Sequence, residues 1–215
     1  MKINSLSETA VTITLGEVIS MDMHREVMRF CAFLQESAAE ELVELVPGYS
    51  SVTVFVSVEF YRRHRSLKEY FSGICAQYRP EEKHELPLNT RTVDIPVDYS
   101  GEDLEEVARH AGLSVGETVD IHSKADYVVA MIGFRPGFPY LLGLDPRLSM
   151  PRRSTPRVRV PKGAVAIGGQ QTGIYPGESP GGWHIIGYTA EELFDVNRNP
   201  PNLLQVGDTV RFRAL

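Results

Sequence analysis

Hydrophobic residues along the chain alternate with polar ones in some stretches and recur every three to four positions in others; the switches between these periods delimit its elements. Val11, Ile13 and Leu15 alternate with Thr12 and Thr14, which predicts a strand with one buried face. Val27, Phe30, Cys31 and Leu34 fall on one face of a helix that Asp22 is placed to cap. Two Val-rich runs, 41–46 and 52–58, flank the turn sequence Pro47-Gly48-Tyr49-Ser50 and predict a hairpin. Leu67, Tyr70, Phe71, Ile74 and Cys75 share a face of a helix over 66–79, and alternation returns over 90–97. The order strand, helix, strand, strand, helix, strand is the split βαβ pattern of ferredoxin-like domains.

Residues 102–111 and 114–122 predict two short helices, the second opening on a capping box of Ser114 and Glu117. A strand follows over 126–134 with Val128, Ala130 and Ile132 on one side. Short strands over 165–168, 172–175, 183–188 and 209–213, separated by turns, suggest a small barrel or sandwich. Composition shifts at the same place, since residues 1–130 hold six Gly and four Pro, and residues 131–215 twelve and ten. Neither residue sits well inside a helix, so the second part must be built from strands, turns and ordered loops.

The 215 residues, 42% hydrophobic and 23% charged, suffice for two domains with real cores. Net charge is −6, which argues against a general nucleic-acid or membrane-surface binder. The helix pair over 104–119 resembles a helix-turn-helix, but Glu102, Asp103, Glu105, Glu106, Glu117 and Asp120 face only Arg109 and Lys124, and phosphates would repel it. It is expected to be a connector between domains. Cys31 and Cys75 read as small hydrophobes within helices, which fits a reducing compartment. Residues 1–16 lack a leader pattern and no apolar run approaches the roughly 20 residues of a membrane span, so the expected location is cytoplasmic.

Three segments carry candidate chemistry. Gly133-Phe134-Arg135-Pro136-Gly137-Phe138-Pro139-Tyr140-Leu141 interleaves aromatics with Gly and Pro, and reads as either a structural corner or a rigid pocket wall. Arg147, Arg152, Arg153, Arg157, Arg159 and Lys162 form a basic stretch in an acidic chain; arginine suits bidentate contacts to carboxylate or phosphate. Residues 168–184 crowd Gln171, Thr172, Tyr175, Glu178, Trp183 and His184 onto a Gly/Pro frame. Those groups suit hydrogen bonding to a small polar substrate and proton transfer. There is no glycine-rich phosphate loop ending in Gly-Lys, and the two cysteines and six histidines have no zinc spacing, so no metal site is expected.

The run GFRPGFPYLLGL at 133–144, TPR at 155–157 and QTGIYPGESPGGWHIIG at 171–187 resemble the B-subunit family of bacterial 5-oxoprolinase, also labelled allophanate hydrolase subunit 1 or KipI. ELVPGY at 44–49 and Ile121-His122-Ser123 match weaker motifs of that family. The resemblance implies an α+β protein with a ferredoxin-like domain over 1–90 and a cyclophilin-like β-barrel over 91–215. It implies a subunit that works with C and A subunits to open 5-oxoproline to glutamate at the expense of ATP, with Mg, at a site shared with a partner. Alternatives are an inhibitor of a sensor histidine kinase and a subunit of an allophanate- or urea-processing enzyme. On this view Arg157, Arg159, Gln171, Thr172, Tyr175, Phe138 and Tyr140 bind substrate, and Glu178 and His184 transfer protons. Phe134, Pro136, Pro139 and Trp183 wall the pocket or meet a partner. In one departure, Tyr99-Ser100-Gly101-Glu102-Asp103 runs straight into a helix where the family commonly has a longer segment, which makes Glu102 a further, weaker candidate.

Overall fold

A computed structural model describes residues 1–38, 40–64, 66–82 and 91–215. They form two compact units, 1–88 and 89–215.

The first unit contains β1 (Lys2–Ser7), β2 (Ala10–Thr14), α1 (Met21–Ala38), β3 (Leu42–Pro47), β4 (Ser51–Val56), α2 (Val58–His64) and α3 (Leu67–Cys75). Its sheet runs β1-β2-β4-β3, antiparallel throughout. Val11, Ile13, Val52, Val54 and Val56 point to one side, as strand alternation requires, and pack on Phe30, Leu34 and Phe71 of the helices. Three expectations change here. α1 is capped by Ser20, whose hydroxyl accepts the Met23 N–H at 3.1 Å, while Asp22 lies inside the first turn and pairs with Arg25. The second Val-rich run stops at Val56, because Ser57 accepts the Phe60 N–H and starts α2. The edge place beside β2 is filled by β1, whose largely polar sequence gave no alternation signal. The strand expected over 90–97 appears as β5 (Thr92–Val97) and pairs within the second unit; Thr90 lies outside the described residues.

The second unit continues with α4 (Leu104–Ala111), α5 (Val115–Lys124), β6 (Asp126–Ile132), β7 (Pro139–Leu142), β8 (Arg157–Val160), β9 (Ala164–Gly168), β10 (Gln171–Ile174), β11 (Ser179–Gly181), β12 (His184–Tyr188) and β13 (Thr209–Ala214). Seven strands form one sheet in the order β12-β9-β10-β7-β6-β13-β5, and β8 pairs with β11 as a separate ribbon. The two edges of the large sheet meet at Asp98 and Tyr188, which exchange N–H···O bonds of 2.8 Å, so the sheet is nearly closed into a barrel. Its interior holds Ile95, Tyr127, Val129, Leu141, Ile167 and Phe212 without solvent contact. The face of β6 differs from the expected one: Tyr127 and Val129 point inward, and a register shift between Val129 and Met131 changes sides thereafter. The α4–α5 pair is no connector between domains. Leu104, Val107 and Ala108 of α4 are buried, α4 lies along β12, and α5 lies along β13. The capping box of Ser114 and Glu117 is present. Among the described residues no helix is long and apolar enough to cross a membrane.

Candidate binding site

Gly133 to Phe138 form a tight turn between β6 and β7, closed by the Phe138 N–H on the Arg135 carbonyl at 3.0 Å and the Gly133 N–H on the Phe138 carbonyl at 3.1 Å. The turn drives Phe138 into a second apolar cluster with Ala166, Tyr175, Trp183 and Ile185, separate from the barrel interior, where it is 2% exposed. Tyr140, Tyr175 and Trp183 surround it at ring-centroid distances of 4.8, 5.1 and 5.5 Å, and Phe134 meets it edge to face at 5.6 Å. Edge-to-face contact sets the positive ring edge against the negative face and fixes relative orientation. The glycines make room for these rings. A Cβ on Gly168 would stand 2.6 Å from the Trp183 indole, and one on Gly181 would stand 2.3 Å from the Tyr175 hydroxyl. The Gly-rich composition of this half is therefore partly the imprint of aromatic side chains packed against backbone.

The rings surround an open cavity of about 310 Å³, completed by Arg152, Arg153, Pro156, Pro180 and the Gly181–Gly182 backbone. Arg152 lies over the Trp183 ring at 5.8 Å and forms no ion pair among the described residues. Arg153 and Arg157 are committed elsewhere: both donate to Oδ1 of Asp103, at 3.1 and 2.7 Å, while Oδ2 of Asp103 accepts the Ile185 N–H at 2.7 Å. Burial opposes ionisation of Asp103. The hydrogen bonds from Arg157 and Ile185, with the charges of Arg157 and Arg153, outweigh it and hold the carboxyl below its usual range. Asp103 thus ties the segment carrying Arg152 and Arg153 to the start of α4 and to β12. Neither it nor Arg152 stood out individually in the sequence.

The expected site residues separate into groups. Phe134, Phe138, Tyr140, Tyr175 and Trp183 converge on the cavity. Pro139 opens β7 opposite Ile132, and Pro136 lies in the exposed turn before it. Thr172 is fully buried away from the cavity: its hydroxyl donates to the Ala166 carbonyl and accepts from His122 Nε2, both at 3.0 Å, while the Tyr99 hydroxyl donates to His122 Nδ1 at 2.7 Å. Complete burial lowers the His122 pKa to about 3, so this chain of bonds runs through a neutral ring. Gln171 is buried in β10. Arg159 is 76% exposed and pairs with the half-exposed Glu178 at 2.5 Å, and the Glu178 carbonyl accepts from Arg135. Glu178 and His184 are therefore held by different partners. His184 Nε2 bonds the Pro151 carbonyl at 2.9 Å, and Nδ1 is buried 3.9 Å from Glu106. Glu102 accepts from the Tyr188 hydroxyl and lies 3.6 Å from Arg157.

One spacing escaped the sequence reading. Gly177-Glu178-Ser179-Pro180-Gly181 has the form G-x-S-x-G, but Ser179 is buried in β11 and not in the strand-to-helix turn that exposes a nucleophile. Asp103, Glu106 and His184 bring ligand atoms within 4.8 Å of one another. The set does not suit Mg, because both Asp103 oxygens are occupied and two guanidiniums already neutralise it. The aromatic cavity, with one unpaired arginine, suits a small monoanion better than a triphosphate.

Residues 1–204 match the family model for the carboxyltransferase domain, subdomain C and D. The chain is 42% identical to the B subunit of the Haemophilus influenzae 5-oxoprolinase, covering 99% of this chain and 97% of that protein. It is 39% identical to the protein of the same name from Bacillus subtilis, covering 98% and 91%. Among solved structures, TTHA0988 superposes with a TM-score of 0.79 at 36% identity; the match covers 96% of this chain but only 40% of that one. The urea carboxylase of Kluyveromyces lactis superposes with a TM-score of 0.73 over 99% of this chain and 21% of its own, and at 18% identity that likeness is one of fold.

Proposed function

The chain belongs to the carboxyltransferase-domain, subdomain C and D, family, and from that membership we propose that it is the B subunit of a 5-oxoprolinase. One observation carries the reading: identity near 40% extends over almost the whole of this chain and of the proteins that bear that name. The cavity supports it. 5-Oxoproline is a flat five-membered lactam with one carboxylate. Phe138, Tyr140, Tyr175 and Trp183 offer faces and edges for the ring, and Arg152 offers a cation for the carboxylate. Fixing the ring against rigid walls orients its carbonyl for attack and excludes bulk water from one side. The ferredoxin-like and cyclophilin-like labels are part of the same reading. They are supported by the antiparallel sheet packed on helices in the first unit and by the nearly closed barrel in the second.

In this reading C and A subunits complete the enzyme, the chain alone does not turn over, and the complex works in the cytoplasm. ATP with Mg drives the opening from a site supplied mainly by a partner, because the phosphates need more free cations than this cavity offers. The test is reconstitution: the chain with C and A subunit homologues, ATP and 5-oxoproline should release glutamate, and omission of the chain should abolish release. Turnover of urea or allophanate but not 5-oxoproline would replace this reading with the urea-processing one. Binding to a histidine kinase without any turnover would replace it with the inhibitor.

A further inference from the structure

Among the described residues, Phe134 is the one non-glycine residue with a left-handed backbone, at φ = 64°. For a bulky side chain that region brings Cβ against the following carbonyl and is unfavourable. The same residue is 62% exposed, although its ring is large and apolar. Either glycine or asparagine would fit this turn without strain. The turn is nonetheless held firmly: Arg135 donates to the Glu178 carbonyl across from it, and the Arg135 N–H contacts the Gly133 carbonyl at 2.7 Å. The ring lines the aromatic cavity, edge to face with Phe138 at 5.6 Å and with Tyr175 at 6.5 Å. Strain and exposure at one position are both unfavourable to the free fold, and together they indicate that the ring serves a ligand.

We propose that Phe134 is the specificity-determining residue of the cavity: its ring, packed edge to face on Phe138, covers one face of a flat, ring-shaped monoanion whose other face meets Trp183. This deepens the proposed function and rests on it for the identity of the ligand, 5-oxoproline. A flat lactam ring in the gap between Phe134 and Trp183 loses both faces to aromatic surface. A puckered ring such as proline, or the open chain of glutamate, fills the same gap less completely.

Trp183 is the single tryptophan of the chain and lines the cavity, so its fluorescence reports occupancy directly. The unaltered protein, Phe134→Ala, Phe134→Gly and Phe134→Tyr should each be titrated with 5-oxoproline, proline and glutamate, and melted without ligand. The unaltered protein should bind 5-oxoproline more tightly than the other two. Both Phe134→Ala and Phe134→Gly should weaken 5-oxoproline binding about tenfold or more, as expected for loss of one aromatic face of a buried ring, and narrow the preference over proline. Phe134→Tyr should restore both. Phe134→Gly should melt about 2–4 °C above Phe134→Ala, because both lack the ring and only glycine relieves the backbone. Binding within twofold of the unaltered protein in both truncations, with folding intact, would overturn the proposal, as would equal melting of the two. Fluorescence titration as expected with no ring opening in the reconstituted complex would leave Phe134's role standing and remove the 5-oxoprolinase reading instead.

Discussion

Arg157 donates to Asp103 at 2.7 Å across 54 residues of sequence, and the same carboxylate oxygen accepts from Arg153 at 3.1 Å. One nearly buried carboxylate therefore bonds two guanidiniums and receives a backbone N–H from β12. Removing it by Asp103→Ala leaves Arg157 with Glu102 at 3.6 Å and Arg153 with Glu106 at 3.9 Å as their remaining carboxylates, and loss of the charge-assisted hydrogen bonds should cost about 1.5–3 kcal/mol in denaturant unfolding. Its folded pKa is depressed, so its contribution is present above the unfolded value near 3.9 and is lost as pH falls through the lower folded value. The gap between the variant and the unaltered protein should therefore narrow below about pH 4. An unfolding free energy within about 1 kcal/mol of the unaltered protein at pH 7 would contradict the role given to this carboxylate.

His122 makes the opposite kind of pH prediction from a histidine that gains an anionic partner. Burial lowers its pKa to about 3, so the unfolded chain binds the extra proton between that value and its ordinary one. Stability from this residue is complete above about pH 6.5 and falls by up to about 1.4 kcal/mol per pH unit below it. His122→Gln should flatten that slope between about pH 6.5 and 4.5, while lowering stability at about pH 7 by about 1–3 kcal/mol through the orphaned Tyr99 hydroxyl. The slopes are measured by urea unfolding at several pH values; parallel slopes for the two proteins would count against a neutral buried ring.

Gly168 and Gly181 are fixed by the rings they touch. Adding a methyl group at Gly168 meets the Trp183 indole at 2.6 Å, with no flexible chain end to yield. Gly168→Ala should destabilise by about 1–3 kcal/mol and shift the Trp183 emission maximum, while Gly177→Ala, where a Cβ meets nothing within 4 Å, should do neither.

Arg152 should separate binding from stability. With no ion pair among the described residues, Arg152→Gln should lower unfolding free energy by no more than about 1 kcal/mol, the value of its contact over the Trp183 ring. It should weaken carboxylate binding in the Trp183 titration about tenfold, the value of a charge-assisted contact. The surface pair of Glu178 and Arg159 provides the contrast: Glu178→Gln should alter stability by less than about 1 kcal/mol. Unchanged 5-oxoproline affinity in Arg152→Gln would dissociate the rim arginine from ligand recognition.

The aromatic half of the site was readable in the sequence because its residues lie in two short runs, 133–141 and 171–184, whose Gly/Pro frame marks them out. The strands with alternating apolar residues were readable for the same local reason. What escaped depends on distance. Asp103 looks like one acidic residue among six, and its partners come from 50 to 82 residues away. Arg157 and Arg159 resemble Arg152 in sequence, yet pairing with Asp103 and Glu178 leaves Arg152 the one facing the cavity without a carboxylate. Thr172 looked like a ligand-binding hydroxyl and is instead the end of a buried bond chain, which only the folded barrel reveals. β1, β7, β8 and β11 are too polar or too short to show a period.

The pairing of β5 with β13 sets an order of events during synthesis. β5 is the first strand of its unit to leave the ribosome, yet its full-length neighbour is β13, the last. Until residues 209–214 emerge, β5 has an unpaired edge and the barrel interior lacks Phe212. The second unit therefore cannot condense strand by strand; it must wait, with exposed apolar strands, for a distant segment to insert between β5 and β6. In the growing chain this makes the barrel a late-folding body.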